Sequence, residues 1–133
     1  MKKGYCDHIE QLTRDNSYFR KVLYTGEHSQ LVLMSLLPKE EIGLEAHDTI
    51  DQFFRVEVGQ GTFMINGQEY SISDGSAFIV PAGAQHNVIN TSETEALKLY
   101  TIYSPANHKE GTIHQTKSEA EANEEHFDGK TTE

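Results

Sequence analysis

The residues in this sequence best suited to chemistry are four possible metal ligands, Glu45, His47, Gln52 and His86. Glu45 and His47 are two residues apart, so on an extended chain both side chains face the same way. Gln52 follows a short connection and heads the next β-rich run. Imidazole nitrogens and carboxylate or amide oxygens are ligands of divalent metal ions. The four residues therefore predict one metal site, built from three strands.

The segment that delivers His86 carries a second pattern. Gly75 to Asn90 has the form G-x5-P-x-G-x2-H-x3-N. Given ordinary Gly and Pro usage, a chance match to its five fixed positions is expected about once in a million starts or less. Pro81 and Gly83 are typical of a tight corner between strands. We expect this corner to turn His86 toward the other three ligands.

The elements that must position these residues are short strands. Turn residues recur roughly every eight to twelve positions between residues 18 and 104, a spacing typical of all-β folds. Asn66 and Gly67 both tolerate positive φ and predict a two-residue type I′ hairpin. The predicted strands are Tyr18–Tyr24, Leu31–Leu37, Phe53–Val58, Thr62–Ile65, Gln68–Ile72, Ser76–Val80, His86–Asn90 and Leu97–Ser104.

Helix is predicted only at the two ends of the chain. Asp7–Leu12 has the composition of a single turn. Thr116 and Glu119 have the spacing of a capping box, ahead of an Ala- and Glu-rich stretch that runs to about Phe127. The segment from Lys117 onward carries six acids against two lysines, so we expect a solvated face or a loose end.

Residues 43–90 resemble the two motifs of the cupin superfamily. The chain is similar to small single-domain cupins described as phosphomannose-isomerase-like, within the RmlC-like jelly-roll superfamily. The first family motif is G-x5-H-x-H-x3,4-E-x6-G. Here Glu45 stands in place of the first histidine and Gln52 in place of the glutamate, while the six-residue gap from Gln52 to Gly59 is kept. The second motif, which contains His86, is matched at every position.

The resemblance implies an all-β fold, a double-stranded β-helix or jelly-roll barrel, with short peripheral helices. It implies a single domain over residues 1–133, with the barrel at about 18–104 and a C-terminal extension at 105–133. The cofactor it implies is a divalent metal ion, and mixed nitrogen and oxygen ligands suit Mn, Fe, Co, Ni or Zn. Gln52 is a weaker ligand than a carboxylate. Glu45 can bind through one oxygen or two, or can hydrogen-bond a metal-bound water.

The sequence leaves three functions open and assigns no catalytic residue. The first is a metal-dependent enzyme with isomerase- or lyase-type chemistry on a small polar molecule, such as a sugar or organic acid. The second is a binding or sensor module without turnover, favoured because no acid or unpaired histidine is evident on Leu97–Ser104. The third is an iron-dependent dioxygenase. Tyr100 and Tyr103 cannot both face inward on a regular strand, and His108 and His114 are expected at the surface.

Charge and composition restrict the partners. The net charge of −10 argues against nucleic acid and anionic membranes, because their phosphates would be repelled. No apolar run approaches the roughly 20 residues of a membrane-spanning helix. The lone Cys6 and the lack of an apolar run after Lys3 predict a cytoplasmic protein. We expect a small-molecule ligand, and a homodimer formed through the apolar edge of Tyr18–Tyr24.

Overall fold

The computed structural model describes residues 1–133 and confirms the all-β prediction. Each of the eight predicted strands is present, with its ends within two residues of those expected. The short strand β9 was not predicted. In chain order the elements are α1 (Ile9–Asp15), β1 (Arg20–Thr25), β2 (Gln30–Leu36), β3 (Asp51–Val58), β4 (Gln60–Ile65), β5 (Gln68–Ser73), β6 (Ala77–Val80), β7 (His86–Asn90), β8 (Leu97–Ser104), β9 (Ile113–His114) and α2 (Lys117–Ala122).

The strands form two antiparallel sheets around one core. The larger sheet has the order β6-β3-β8-β2-β1-β9 and the smaller has the order β5-β4-β7. Met34 and Leu99 from the larger sheet belong to the same buried cluster as Phe63 and Val88 from the smaller one. Alternating side chains on each strand explain this arrangement, since one face of each sheet is apolar and must be covered.

The hairpin between β4 and β5 follows the predicted turn chemistry. Asn66 has φ 45° and Gly67 has φ 82°, and Ile65 pairs directly with Gln68 across the turn. Both central residues are thus in the left-handed region that a type I′ turn requires. The turn sets the register of the smaller sheet, and through β4 it sets the position of β7, which carries His86.

The two helices are short and lie outside the barrel strands in sequence. Helix α1 begins at Ile9 after His8, and no side chain caps it, so the expected start at Asp7 is wrong. Helix α2 has the predicted cap, in which the Glu119 amide donates to Thr116 Oγ1 at 3.1 Å. It ends at Ala122 rather than near Phe127. No helix in the protein combines the length and apolar character that crossing a membrane would demand.

The C-terminal extension, residues 105–133, is packed against the barrel rather than loose. Strand β9 pairs with β1, and the Thr132 amide donates to the Thr25 carbonyl at 2.9 Å. His108 and His114 are 8% and 3% exposed, so the expectation that they lie at the surface is wrong. The physical reason is that the edge of β1 needs hydrogen-bond partners, and the chain itself supplies them. The homodimer stays a prediction, now without a free β1 edge to support it.

Candidate metal centre

The loop before β3 is pinned to β7 by its backbone. The Glu45 amide donates to the His86 carbonyl at 2.9 Å, and the His86 amide donates to the Glu45 carbonyl at 2.9 Å. Asn87 strengthens the attachment by accepting from the Gly43 amide at 2.8 Å and donating to Glu41 Oε1 at 3.1 Å. Residues directly opposite each other in an antiparallel pair present their side chains to the same face. Glu45 and His86 are therefore held side by side.

The corner between β6 and β7 positions His47 as well as His86. Gly83 has φ 89°, a conformation that favours glycine, and the Ala84 amide closes the turn on the Pro81 carbonyl at 3.2 Å. The exposed Gly83 amide donates to the His47 carbonyl at 2.8 Å. A turn identified in the sequence for its effect on His86 thus also fixes the backbone of a second residue in the cluster.

The structure brings three of the four predicted ligands together. One donor atom from each of Glu45, His47 and His86 lies within 4.8 Å of the others. His47 Nε2 is 3.3 Å from Glu45 Oε2, yet it is buried and makes no hydrogen bond. The two atoms are close without the geometry that a hydrogen bond needs. This cluster can hold a metal ion.

His86 presents a defined nitrogen to the cluster. Its Nδ1 lies 3.1 Å from the Ala84 carbonyl oxygen, which can only accept, so Nδ1 carries the proton and Nε2 the lone pair. Burial lowers the pKa of His86, and the Ala84 carbonyl and the Glu45 carboxylate oppose that effect only in part. The ring is therefore neutral near pH 7, the form that ligates metals.

Gln52 enters from β3 with its carboxamide orientation defined by the hydrogen-bond network. The Thr101 hydroxyl donates its one hydrogen to the Phe53 carbonyl at 2.8 Å, so it must accept from Gln52 Nε2 at 3.0 Å. The other end of the amide, Oε1, is buried and has no hydrogen-bond partner. A buried acceptor without a partner costs free energy, about 1–3 kcal/mol. Gln52 thus offers a free oxygen ligand inside the barrel.

A cavity of about 370 Å³ adjoins the cluster. The barrel contributes Glu45 and His47 to one part of its wall, and the C-terminal extension, including α2, contributes much of the rest. From the sequence, only His108 and His114 of this extension could be considered as residues that cover a pocket, and a surface position is favoured for both. The lining residues are Phe19, Arg20, Ile42, Glu45, Ala46, His47, Asn107, His108, Lys117, Ala120, Glu121, Glu124, Glu125 and His126.

A buried tyrosine and histidine lie beside the cluster and were not assigned a role from the sequence. Tyr103 points into the core, while Tyr100 lies against Phe53 with ring centroids 6.3 Å apart, so only one of the two tyrosines faces inward, as predicted. The Tyr103 hydroxyl is 3.1 Å from His108 Nε2, and the Tyr103 ring is 6.1 Å from that of His47. Burial raises the pKa of Tyr103 and, with the Arg20 charge, lowers that of His108 to about 2.

The family follows from a direct comparison. A family model described as a Cupin domain matches residues 32–103, more than half of the chain and all four candidate ligands. The chain belongs to the cupin family. The two departures at Glu45 and Gln52 noted in the sequence therefore lie within a cupin domain, where Gln52 is buried and Glu45 is partly exposed at the cavity wall.

Three known proteins resemble this cupin over different lengths. Uncharacterized protein YrkC of Bacillus subtilis is 46% identical over 129 residues, which cover 92% of this chain and 69% of the relative. The crystal structure of BH2720 from Bacillus halodurans has a TM-score of 0.88 and 42% identity, covering 91% of this chain and 96% of that one. An oxalate-binding protein of Thermotoga maritima is 29% identical over 62 residues, covering 47% of this chain and 51% of the relative.

Proposed function

We propose that this cupin is a metal-dependent enzyme that acts on a small polar molecule in the cavity beside the metal centre. The ion would be held by Glu45, His47, Gln52 and His86. The observation that carries the proposal is the convergence of one donor atom from each of Glu45, His47 and His86 within 4.8 Å, with Glu45 and His47 also in the wall of that cavity. The reaction class that fits best is isomerisation or lyase chemistry, which a redox-inactive ion can support.

The fit of the residues to a metal rests on their unpaired atoms. His47 Nε2 and Gln52 Oε1 are both buried without hydrogen bonds, and both can offer a lone pair. Buried polar atoms in proteins are nearly always paired, so an orphaned pair of acceptors calls for a partner. A cation satisfies both atoms and the Glu45 carboxylate at once. One carboxylate against a divalent ion leaves the site at about +1, a charge that attracts oxygen groups of a ligand.

The chemistry that a metal supplies here is polarisation of a carbonyl or hydroxyl oxygen of the ligand. The residues of the chain would orient the ligand. Tyr103 keeps its phenolic proton at neutral pH, because burial raises its pKa, and His108 lies next to that hydroxyl at the cavity wall. Because burial also lowers the pKa of His108 to about 2, both groups stay neutral, and the pair would serve in hydrogen bonding rather than as a proton donor or acceptor.

A second candidate function is binding without turnover. It is favoured by the name of the Thermotoga maritima relative, an oxalate-binding protein. A cavity closed largely by the chain's own C-terminal extension would suit retention of a small acid. In this case the same metal centre would serve as the anchor, and the Tyr103–His108 pair would serve only as a hydrogen-bonding wall.

The first experiment measures metal. The purified protein is stripped with a chelator, dialysed with Mn²⁺, Fe²⁺, Co²⁺, Ni²⁺ or Zn²⁺ separately, and analysed for metal by elemental analysis. About one ion per chain is expected for at least one metal. Retention of no ion after dialysis would overturn the proposal. Assays of sugar isomerisation, acid decarboxylation and oxygen uptake on the loaded protein then separate turnover from binding, and oxygen uptake identifies the dioxygenase alternative.

A further inference from the structure

Arg20 is a buried cation in the wall of the same cavity. It lies on β1 between β2 and β9, pairs with His114 in register, and is 9% exposed. Its side chain lines the cavity together with Glu45 and His47. Removing a guanidinium from water costs several kcal/mol unless an anion or several acceptors replace the solvent. A buried arginine therefore needs an identifiable partner.

The protein itself supplies only part of that partner. Arg20 takes part in none of the ion pairs in the structure. Its guanidinium carbon lies 5.3 Å from the centre of the Phe19 ring, and its Nη1 is 3.2 Å from His114 Nδ1. Its Nε–H group is buried with no acceptor. The positive charge is held in place but is not neutralised.

His114 adds a second unpaired donor. Arginine has only donors, so Arg20 donates to His114 Nδ1, and the proton of the neutral imidazole then resides on Nε2. This Nε2–H is also buried without an acceptor. Two N–H groups from one hydrogen-bonded pair thus lack acceptors, in a protein whose net charge is −10. The acceptor that suits a guanidinium best is a planar carboxylate, because it can take two parallel hydrogen bonds.

We propose that Arg20, positioned by His114, binds a carboxylate of the ligand, and that the ligand is a small dicarboxylate whose second carboxylate reaches the metal centre. This step rests on the proposed function for its metal end. The charges support a dianion, since a divalent ion beside Glu45 leaves about +1 and Arg20 adds another unit. Lys117, the other cation of the cavity wall, is already within 4.0 Å of Glu121 and is not needed to bind the ligand.

The test uses the full chain, with and without metal, and titrates oxalate, malonate, succinate and acetate by calorimetry. The three dicarboxylates differ in chain length, so the one that binds most tightly indicates the distance between Arg20 and the metal ion. We expect one dicarboxylate to bind the loaded protein at least about tenfold more tightly than acetate, since a bidentate arginine contact and a second charge both contribute. Weaker binding of every dicarboxylate than of acetate would overturn the proposal.

Single substitutions test the contribution of Arg20 to dicarboxylate binding. Arg20→Gln should weaken dicarboxylate binding at least about tenfold and leave metal content unchanged, while Arg20→Lys should show a partial loss because an ammonium lacks the planar fork. Arg14→Gln, on an arginine paired with Glu10 at the surface, removes the same charge elsewhere and should change nothing. Binding by Arg20→Gln within twofold of the parent protein would overturn the proposal. If circular dichroism shows that Arg20→Gln is unfolded, Arg20→Lys serves as the test. Unchanged dicarboxylate binding by Arg20→Lys would then overturn the proposed role of Arg20.

Failure of this inference differs from failure of the metal centre. A protein that loads no metal contradicts the proposed function, and weak binding of dicarboxylates to the metal-free protein, lost in Arg20→Gln, would still support the role of Arg20. A protein that loads metal but binds the probes equally with and without Arg20 contradicts only the present inference.

Discussion

Gln52 at the candidate metal centre and Gln30 at the seam between the barrel and the C-terminal extension are both buried polar residues, but they differ in how completely they are hydrogen-bonded. At the seam, Gln30 is 1% exposed and its Oε1 accepts from the amides of Asn107 and His108 at 3.2 and 3.0 Å. Its Nε2 donates to the His108 carbonyl at 2.7 Å and to Thr25 Oγ1 at 2.9 Å. At the metal centre, Gln52 is 2% exposed, and its Oε1 has no partner.

The same residue type thus has two uses in one barrel. A buried amide with every donor and acceptor satisfied fixes structure, since each lost bond leaves a buried group unpaired. A buried amide with a free oxygen costs stability and persists where a ligand will complete it. Completeness of hydrogen bonding therefore separates Gln30, which attaches the extension, from Gln52, the candidate metal ligand, although both glutamines are almost fully buried.

The largest expected effect is loss of metal on removing an imidazole. His47→Ala and His86→Ala should each weaken metal binding by more than about 100-fold, because even changes in outer partners of a ligand typically cost 10–100-fold. Metal content per chain after identical dialysis is the measurement. His28→Ala, on a side chain that is 93% exposed, is the matched control. Full metal content in both cluster variants would show that the cluster is only part of the scaffold.

A substitution at the seam is expected to lower the free energy of unfolding. Gln30→Leu should destabilise the metal-free protein by about 2–3 kcal/mol, since it leaves the backbone groups of Asn107 and His108 unpaired inside the protein. Urea denaturation followed by circular dichroism measures the change. Gln52→Leu is the matched substitution and should alter the free energy of unfolding by less than about 1 kcal/mol. Equal losses in the two variants would remove the distinction between the regions.

The seam should also give the metal-free protein a pH dependence. Burial and the Arg20 charge lower the pKa of His108 to about 2 in the folded state, while the unfolded chain binds a proton near the ordinary value. The folded state therefore loses stability as the pH falls, by about 1 kcal/mol per pH unit below pH 6. Urea midpoints between pH 5 and pH 7 measure the slope. His108→Gln should reduce it and His28→Gln should not, whereas an unchanged slope in both would contradict the assignment.

The smallest expected effect is the change in metal affinity on substitution of Gln52. Gln52→Leu should weaken metal binding by only about 3- to 10-fold, because water can replace a neutral amide oxygen as a ligand. Gln52→Glu should strengthen binding, since it adds a carboxylate at the same position. Metal competition with a chromophoric chelator resolves differences of this size. A gain in affinity from Gln52→Leu would exclude Gln52 as a ligand.

The sequence predicted the strands of the barrel well, because they depend on local rules. Strand alternation, the Asn66–Gly67 turn and the Pro81–Gly83 corner each specify structure within a few residues. The spacing of Glu45 and His47 places both on one side of an extended segment. Local rules do not specify the pairing of Glu45 with His86, which lie 41 positions apart in the chain. The motifs implied this pairing, and the backbone hydrogen bonds between the two residues define it.

The tertiary structure alone decided the outer half of the cavity. His108, His114 and the Ala- and Glu-rich α2 have no local signal for burial, and an acidic run is normally solvated. The two histidines and Ala120 of α2 are buried because β1 has an open edge, and pairing that edge with β9 brings the extension to the cavity wall. The same pairing places His114 beside Arg20 and leaves their N–H groups without acceptors. The sequence by itself therefore determined the barrel and the candidate cluster, whereas long-range strand pairing determined what surrounds them.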